Sequence, residues 1–116
     1  MTTHTGSCHC GKIAFEVKGE FDNAMVCNCS YCRRAGHMLA FVGEGDFRLT
    51  TPQKDVANYL FNKQVINHYH CTNCGIATHG GGVAPDGTRM VAVNLRCVDG
   101  IDLDGLTIQK YDGAKL

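Results

Sequence analysis

The chain has 116 residues, 44% of them apolar and 19% charged, with 11 basic side chains matched by 11 acidic ones; this suits one domain of the usual ~100–150 residues and excludes intrinsic disorder. A pI of about 7.0 and the absence of any lysine or arginine run exclude a dedicated nucleic-acid binder. No stretch approaches the roughly 18 consecutive apolar residues of a membrane span, and the start, MTTHTGSCHC, has no charged-then-apolar leader, so a soluble, cytoplasmic protein with no membrane partner is expected.

In chain order, the first landmark is Cys8-His9-Cys10. Lys12 to Lys18 then alternates, with Ile13, Phe15 and Val17 on one face and Ala14, Glu16 and Lys18 on the other, which predicts a half-buried strand. Cys27-Asn-Cys29-Ser-Tyr-Cys32 follows, with Arg33 and Arg34 directly after it. Met38–Val42 and Phe47–Thr50 read as two strands joined through the turn-rich Gly43-Glu-Gly-Asp46, a hairpin. Asp55 to Phe61 fits helical spacing through Val56, Tyr59 and Leu60, but its Tyr and Phe content favours a strand.

Gln64 to His70 alternates and leads into Cys71-Thr-Asn-Cys74-Gly75, so a strand end is expected to hold this knuckle. Ile76–His79 and Met90–Leu95 form the next pair, with Pro85-Asp86-Gly87 as the turn before the second. Gly80-Gly81-Gly82 lies on the connection; it predicts a mobile loop or, failing that, a place where another backbone or a ligand comes close. Leu103, Leu106 and Ile108 mark a last short strand region, and there is neither repeat nor low-complexity segment.

Eight cysteines in so short a chain need an account, and seven of them fall into the three tight clusters just named. Disulfide frameworks spread their cysteines through loops of secreted chains, whereas zinc needs thiolates converging at about 2.3 Å. A C-x2-C turn followed by glycine supplies two such thiolates from one segment, with the backbone free to turn its amides toward the sulfurs. Four thiolates around one Zn2+ leave a charge of −2 and three leave −1, which a small domain tolerates, while seven bare thiolates it does not. A thioredoxin-like use of Cys29 and Cys32 has no βαβ context and leaves Cys27 superfluous.

The order of these clusters, GSCHCGKIAFEV, CNCSYCRRAG, HCTNCGI and then MVAVNLRCVDGIDLD, resembles the glutathione-dependent formaldehyde-activating enzyme family, whose domain also includes centromere protein V. The resemblance covers nearly the whole chain. It implies a mainly β, β-tent fold of small antiparallel sheets, three in number, held by zinc-cysteine knuckles. It further implies two zinc ions: a closed structural one on Cys8, Cys10, Cys71 and Cys74, and an open one on Cys27, Cys29 and Cys32. The residue counts agree, since two two-cysteine arms saturate a tetrahedron and a three-cysteine segment leaves one place free, the distinction between structural and catalytic zinc.

The activity implied is that of a carbon–sulfur lyase-type enzyme joining glutathione to formaldehyde as S-hydroxymethylglutathione. Zinc supports this either by deprotonating a bound thiol or by polarising the carbonyl oxygen. Glutathione carries two carboxylates, for which Arg33 and Arg34 are the candidate cations. His37 and His79 are candidates to move the proton. His68 and His70 share a strand face but adjoin a knuckle that already explains the segment, and His9 reads as a spacer. Cys97, just past the Met90 strand, is either a buried small hydrophobe or a fourth ligand that closes the second zinc site. Closure favours the other reading of the chain, a zinc-stabilised β-tent module that binds another protein without catalysis.

Overall fold

Alternating side chains decide the first sheet of the computed structural model, which describes residues 2–61 and 66–115. Strand β1 (Thr3–Ser7) pairs antiparallel with β2 (Ala14–Lys18), whose Phe15 and Val17, with the adjoining Ile13, are fully buried. The chain continues through β3 (Asn23–Cys27), the one-turn helix α1 (Cys32–Ala35), β4 (Leu39–Gly43) and β5 (Phe47–Leu49). Then come β6 (Val56–Tyr59), β7 (Asn67–Cys71), β8 (Ala77–Val83), β9 (Arg89–Asn94) and β10 (Thr107–Tyr111). The fold is mainly β, as expected.

Hydrogen bonding joins the described strands into two sheets rather than the three expected, a three-stranded one, β1-β2-β5, and a seven-stranded one, β10-β3-β4-β9-β8-β7-β6, because the Met25–Leu39 pairing fuses what would otherwise be separate sheets. A single register pair, Met25 beside Leu39, connects the β10–β3 ribbon to the rest of the long sheet. That ribbon is parallel, with Asn23 beside Thr107 and Cys27 beside Tyr111; every other pairing is antiparallel.

The core lies between the sheets. Phe15 and Val17 from the small sheet meet Ala24, Ala40, Val42, Val91 and Val93 from the long one. Because residues alternate, the long sheet turns Met25, Leu39, Phe41, Met90 and Ala92 to its other face. A second cluster, Cys8, Ile13 and Cys71, is backed by Leu49 and Val56 and sits beside the first. No helix among the described residues is long and apolar enough to cross a membrane.

Several sequence expectations change. Met38–Val42 and Phe47–Thr50 do not form a hairpin: Glu44–Asp46 makes a 3-10 turn that carries the chain from one sheet to the other, and β5 pairs with β2 instead. The gain there is aromatic, since Phe47 stacks on Phe15 at 5.1 Å between ring centroids. Gly80–Gly82 is no mobile loop but part of β8, with all three residues paired to β9 and Gly80 and Gly81 also paired to β7. At Gly80 the close approach is literal, because a Cβ there would lie 2.7 Å from the Asn67 carbonyl oxygen. The strand read for Gln64–His70 begins at Asn67, and Gln64 and Val65 lie outside the described residues. Strands β1 and β3 and helix α1 have no clear sequence signal.

Candidate metal centres and the cavity beside one of them

Two sets of thiols converge. Cys8, Cys10, Cys71 and Cys74 form one and Cys27, Cys29 and Cys32 the other, the sulfurs of each lying within 4.8 Å of one another. In the first set Cys10 Sγ is 3.7 Å from Cys8 Sγ and 3.6 Å from Cys71 Sγ. A tetrahedron with metal–sulfur bonds of about 2.3 Å has edges of about 3.8 Å, so this spacing is that of a zinc-sized ion.

The backbone is arranged for negative sulfur. Ile13 N–H donates to Cys8 Sγ at 3.3 Å, and the N–H groups of Asn73 and Cys74 donate to Cys71 Sγ at 3.3 and 3.5 Å. Each knuckle ends in a glycine at positive φ, Gly11 at 86° and Gly75 at 78°, a conformation that costs other residues energy. Burial pushes the Cys8 thiol up, while the Asn73 side chain and the Lys12 N–H bring the exposed Cys10 down to about 6. Four adjacent thiols therefore do not all ionise unaided, and a divalent cation is the natural compensation.

The second set hangs on the end of β3. Cys29 N–H donates to Cys27 Sγ at 3.5 Å and Cys32 N–H to Cys29 Sγ at 3.3 Å, while Arg33 N–H to the Cys29 carbonyl at 3.0 Å starts α1. Burial, reinforced by the neighbouring Cys29, drives the Cys32 thiol strongly up, so this set too fits a cation. The far end of the chain folds over it: Asn28 Nδ2 donates to Asp112 Oδ1 at 3.0 Å, and Ala114 N–H donates to Asn28 Oδ1 at 3.0 Å. Gly113 fits so tightly that a Cβ on it would lie 2.5 Å from Cys27 Sγ.

These three cysteines open into a cavity of about 750 Å3 on the outer face of the long sheet. Its floor is read from the register: Gly80 lies beside Ala92 and Gly82 beside Met90, while the half-exposed Phe41, paired with Ala92 from the other side, borders it. Its wall is aromatic, with the Tyr31 ring 4.4 Å from His68 and 5.7 Å from Phe61. His68 is the residue that sequence reasoning set aside. Its Nδ1 lies 3.1 Å from the Tyr59 carbonyl; since a carbonyl only accepts, Nδ1 carries the proton and Nε2 is left as an acceptor. Burial lowers its pKa, which keeps it neutral at pH 7.

The other candidates fall in different places. His37 lines the cavity and is 8% exposed, its Nδ1 buried without a hydrogen-bond partner among the described residues, and burial lowers its pKa. His79 also borders the cavity but directs its ring into the core, in tilted contact with the rings of Phe15, Phe47 and Tyr69 and with Nδ1 2.8 Å from Thr78 Oγ1; burial holds it down at about 4. Arg33 and Arg34 are exposed on α1 and do not line the cavity, and Arg34 is tied back to the Ser30 carbonyl at 2.7 Å. Cys97 stands apart from the three-cysteine set. Its thiol approaches the Ala77 carbonyl at 3.8 Å, and burial together with nearby Cys8 and Cys74 raises it to about 11. His9 is exposed between its two cysteines.

The fold has a solved counterpart. A crystal structure of a Rhodobacter sphaeroides protein superimposes with a TM-score of 0.81 at 29% identity, covering 92% of this chain and 99% of that one. The family model for the glutathione-dependent formaldehyde-activating enzyme matches residues 3–107. With so much of its length matched, and both thiol sets inside the matched region, the chain belongs to the glutathione-dependent formaldehyde-activating enzyme family.

Proposed function

We propose that the protein is a zinc-dependent enzyme of the carbon–sulfur lyase type that forms an adduct between glutathione and formaldehyde or a related aldehyde. In this reading Cys8, Cys10, Cys71 and Cys74 hold a structural zinc, and Cys27, Cys29 and Cys32 hold the one that serves the reaction. One observation supports it above the others: the three-thiol set, with one tetrahedral position to spare, faces a cavity, while the four-thiol set is complete in itself.

Zinc bound at the three-cysteine set supplies acidification of a thiol or polarisation of a carbonyl oxygen. The chain's own residues do the rest. Cys27, Cys29 and Cys32 are oriented by the N–H groups of Cys29 and Cys32. Tyr31 and Phe61 exclude water from one side. The addition moves one proton from sulfur to the carbonyl oxygen, and His68, which lines the cavity with its Nε2 as the acceptor nitrogen, is suited to relay it. Arg33 and Arg34 remain the cations for the glutathione carboxylates, which stay outside the cavity near α1.

Native mass spectrometry of the zinc-loaded protein, with and without glutathione, tests this reading. Two zinc ions and one bound glutathione that disappears in Cys29→Ser are expected. Two zinc ions that ignore glutathione would overturn it in favour of a zinc-stabilised module that binds another protein.

A further inference from the structure

The cavity beside Cys27, Cys29 and Cys32 is built for a larger and more apolar partner than formaldehyde. Formaldehyde has two heavy atoms and is scarcely bigger than water, which takes about 30 Å3 in the liquid. The cavity holds about 750 Å3, within the roughly 300–1,000 Å3 of sites for drug-sized molecules. Among the described residues no Asp, Glu, Lys or Arg lines it. An outer sheet face normally alternates to polar residues where water covers it, yet here Phe41 and Val83 are 50% and 66% exposed at the rim and Met90 and Ala92 line the floor.

The floor also lacks side chains where a ligand would lie. A Cβ at Gly82 would meet nothing within 4 Å, and Gly82 is not among the glycines at positive φ. The strand therefore has room for a side chain there and carries none, in a cavity that the Tyr31 and Phe61 rings also line, which suits a flat molecule.

We infer that the cavity takes an uncharged, flat, apolar aldehyde, aromatic or unsaturated, lying on the Gly80–Gly82 stretch with its carbonyl toward the three cysteines. This rests on the proposed adduct-forming reaction and names its second substrate. The step is thiol addition: a carbon–sulfur bond forms, the carbonyl π bond breaks, and the thiol proton ends on the former carbonyl oxygen. No electron is gained or lost.

Two kinds of measurement on the zinc-loaded protein separate this inference from the reaction it serves. The first is ligand-observed NMR titration with benzyl alcohol, an unreactive neutral ring, and with benzenesulfonate, a ring of similar size that carries a charge and is a poor zinc ligand. Benzyl alcohol is expected to bind at least about tenfold more tightly, because a buried charge without a partner is costly. Gly82→Leu is expected to weaken it at least about tenfold with no fall in melting temperature. Phe41→Lys, at a rim position that tolerates exposure, is expected to shift the preference toward benzenesulfonate.

Equal affinity for the two probes, full binding by a folded Gly82→Leu, or a dimer in sedimentation that buries this face and binds no probe would each overturn the inference. Should Gly82→Leu fail to fold, Phe41→Lys decides, and an unchanged preference refutes it. The second measurement is the rate of adduct formation from glutathione and benzaldehyde. Selective probe binding with no acceleration counts against the proposed reaction and leaves the cavity's preference standing; glutathione binding without probe binding does the reverse.

Discussion

Gly80 and Gly82 sit two residues apart on one face of β8, and alanine at the two positions is expected to act in opposite directions. At Gly80 the new methyl would lie 2.7 Å from the Asn67 carbonyl oxygen, which belongs to the backbone of the paired strand and cannot rotate away. Strand β7 must shift by a few tenths of an ångström, a strain that typically costs about 1–3 kcal/mol. Removing glycine from a strand offsets about 0.5–1 kcal/mol of this through the unfolded chain. At Gly82 the same offset applies with no contact to oppose it, since nothing lies within 4 Å. Gly80→Ala is thus expected to lose up to about 2.5 kcal/mol and Gly82→Ala to gain about 0.5–1, a difference of about 1–3 because the offset is common to both. At roughly 4 °C per kcal/mol for a chain of this size, the two variants separate by about 4–12 °C in melting temperature. Thermal and urea unfolding of the zinc-loaded variants measure this. Equal effects of the two substitutions would refute the packing argument, and two neutral ones would mean that the glycines behave as a loop.

Cys71→Ser and Cys29→Ser are each expected to lose one zinc by native mass spectrometry, but the first should cost far more stability, because Cys71 joins Cys8 and Ile13 in the small buried cluster and a structural zinc contributes on the order of 10 kcal/mol to folding. Equal losses in melting temperature would contradict that division. His79 has a folded pKa of about 4 because of burial, below the unfolded value of about 6.5. The unfolded chain therefore binds the extra proton between these values, and stability that is complete above pH 6.5 falls as pH drops toward 4, by about 2–3 kcal/mol at most. His79→Phe should lose less than wild type between pH 7 and pH 5, each compared with itself; a parallel decline would refute it. Asn28→Ala removes both side-chain hydrogen bonds to the 112–114 segment. At about 1–2 kcal/mol, amide exchange there should quicken roughly five- to thirtyfold, as read by hydrogen-exchange mass spectrometry.

What the sequence disclosed was what local chemistry alone can specify. The alternation of Ile13, Phe15 and Val17 marked β2 because a buried face imposes a period of two, and the cysteine spacings marked both thiol sets because each knuckle is built within a few residues. The false hairpin shows the limit. Gly43–Asp46 has turn chemistry, but turn chemistry does not say which sheet receives the next strand; that choice belongs to Phe47 and Phe15, which lie far apart in the chain. Gly80–Gly82 misled for the opposite reason, since glycine signals both slack and close approach and only the Asn67 backbone distinguishes them. Strand β10 is exposed at all five positions, so it offers no burial pattern, and its parallel partner stands near the other end of the sequence. The cavity was equally hidden: its wall depends on Tyr31 meeting His68 and Phe61, a meeting that spacing does not encode. Setting His68 aside as a mere neighbour of the knuckle missed the side chain that faces Tyr31, although its alternation with His70 was visible.

The two thiol sets differ in the length of chain each must gather. Cys27, Cys29 and Cys32 lie within one short segment, whereas Cys10 and Cys71, whose sulfurs touch, are 61 residues apart. A short segment presents its ligands even in an unfolded polypeptide; distant arms meet only after the intervening loop has closed. On the proposed zinc assignment, newly made protein should thus acquire the ion of Cys27, Cys29 and Cys32 first and that of the four-cysteine set together with the native sheets. Stoichiometry followed in real time during refolding then becomes a clock, in which the first ion records mere availability of metal and the second records completion of the fold.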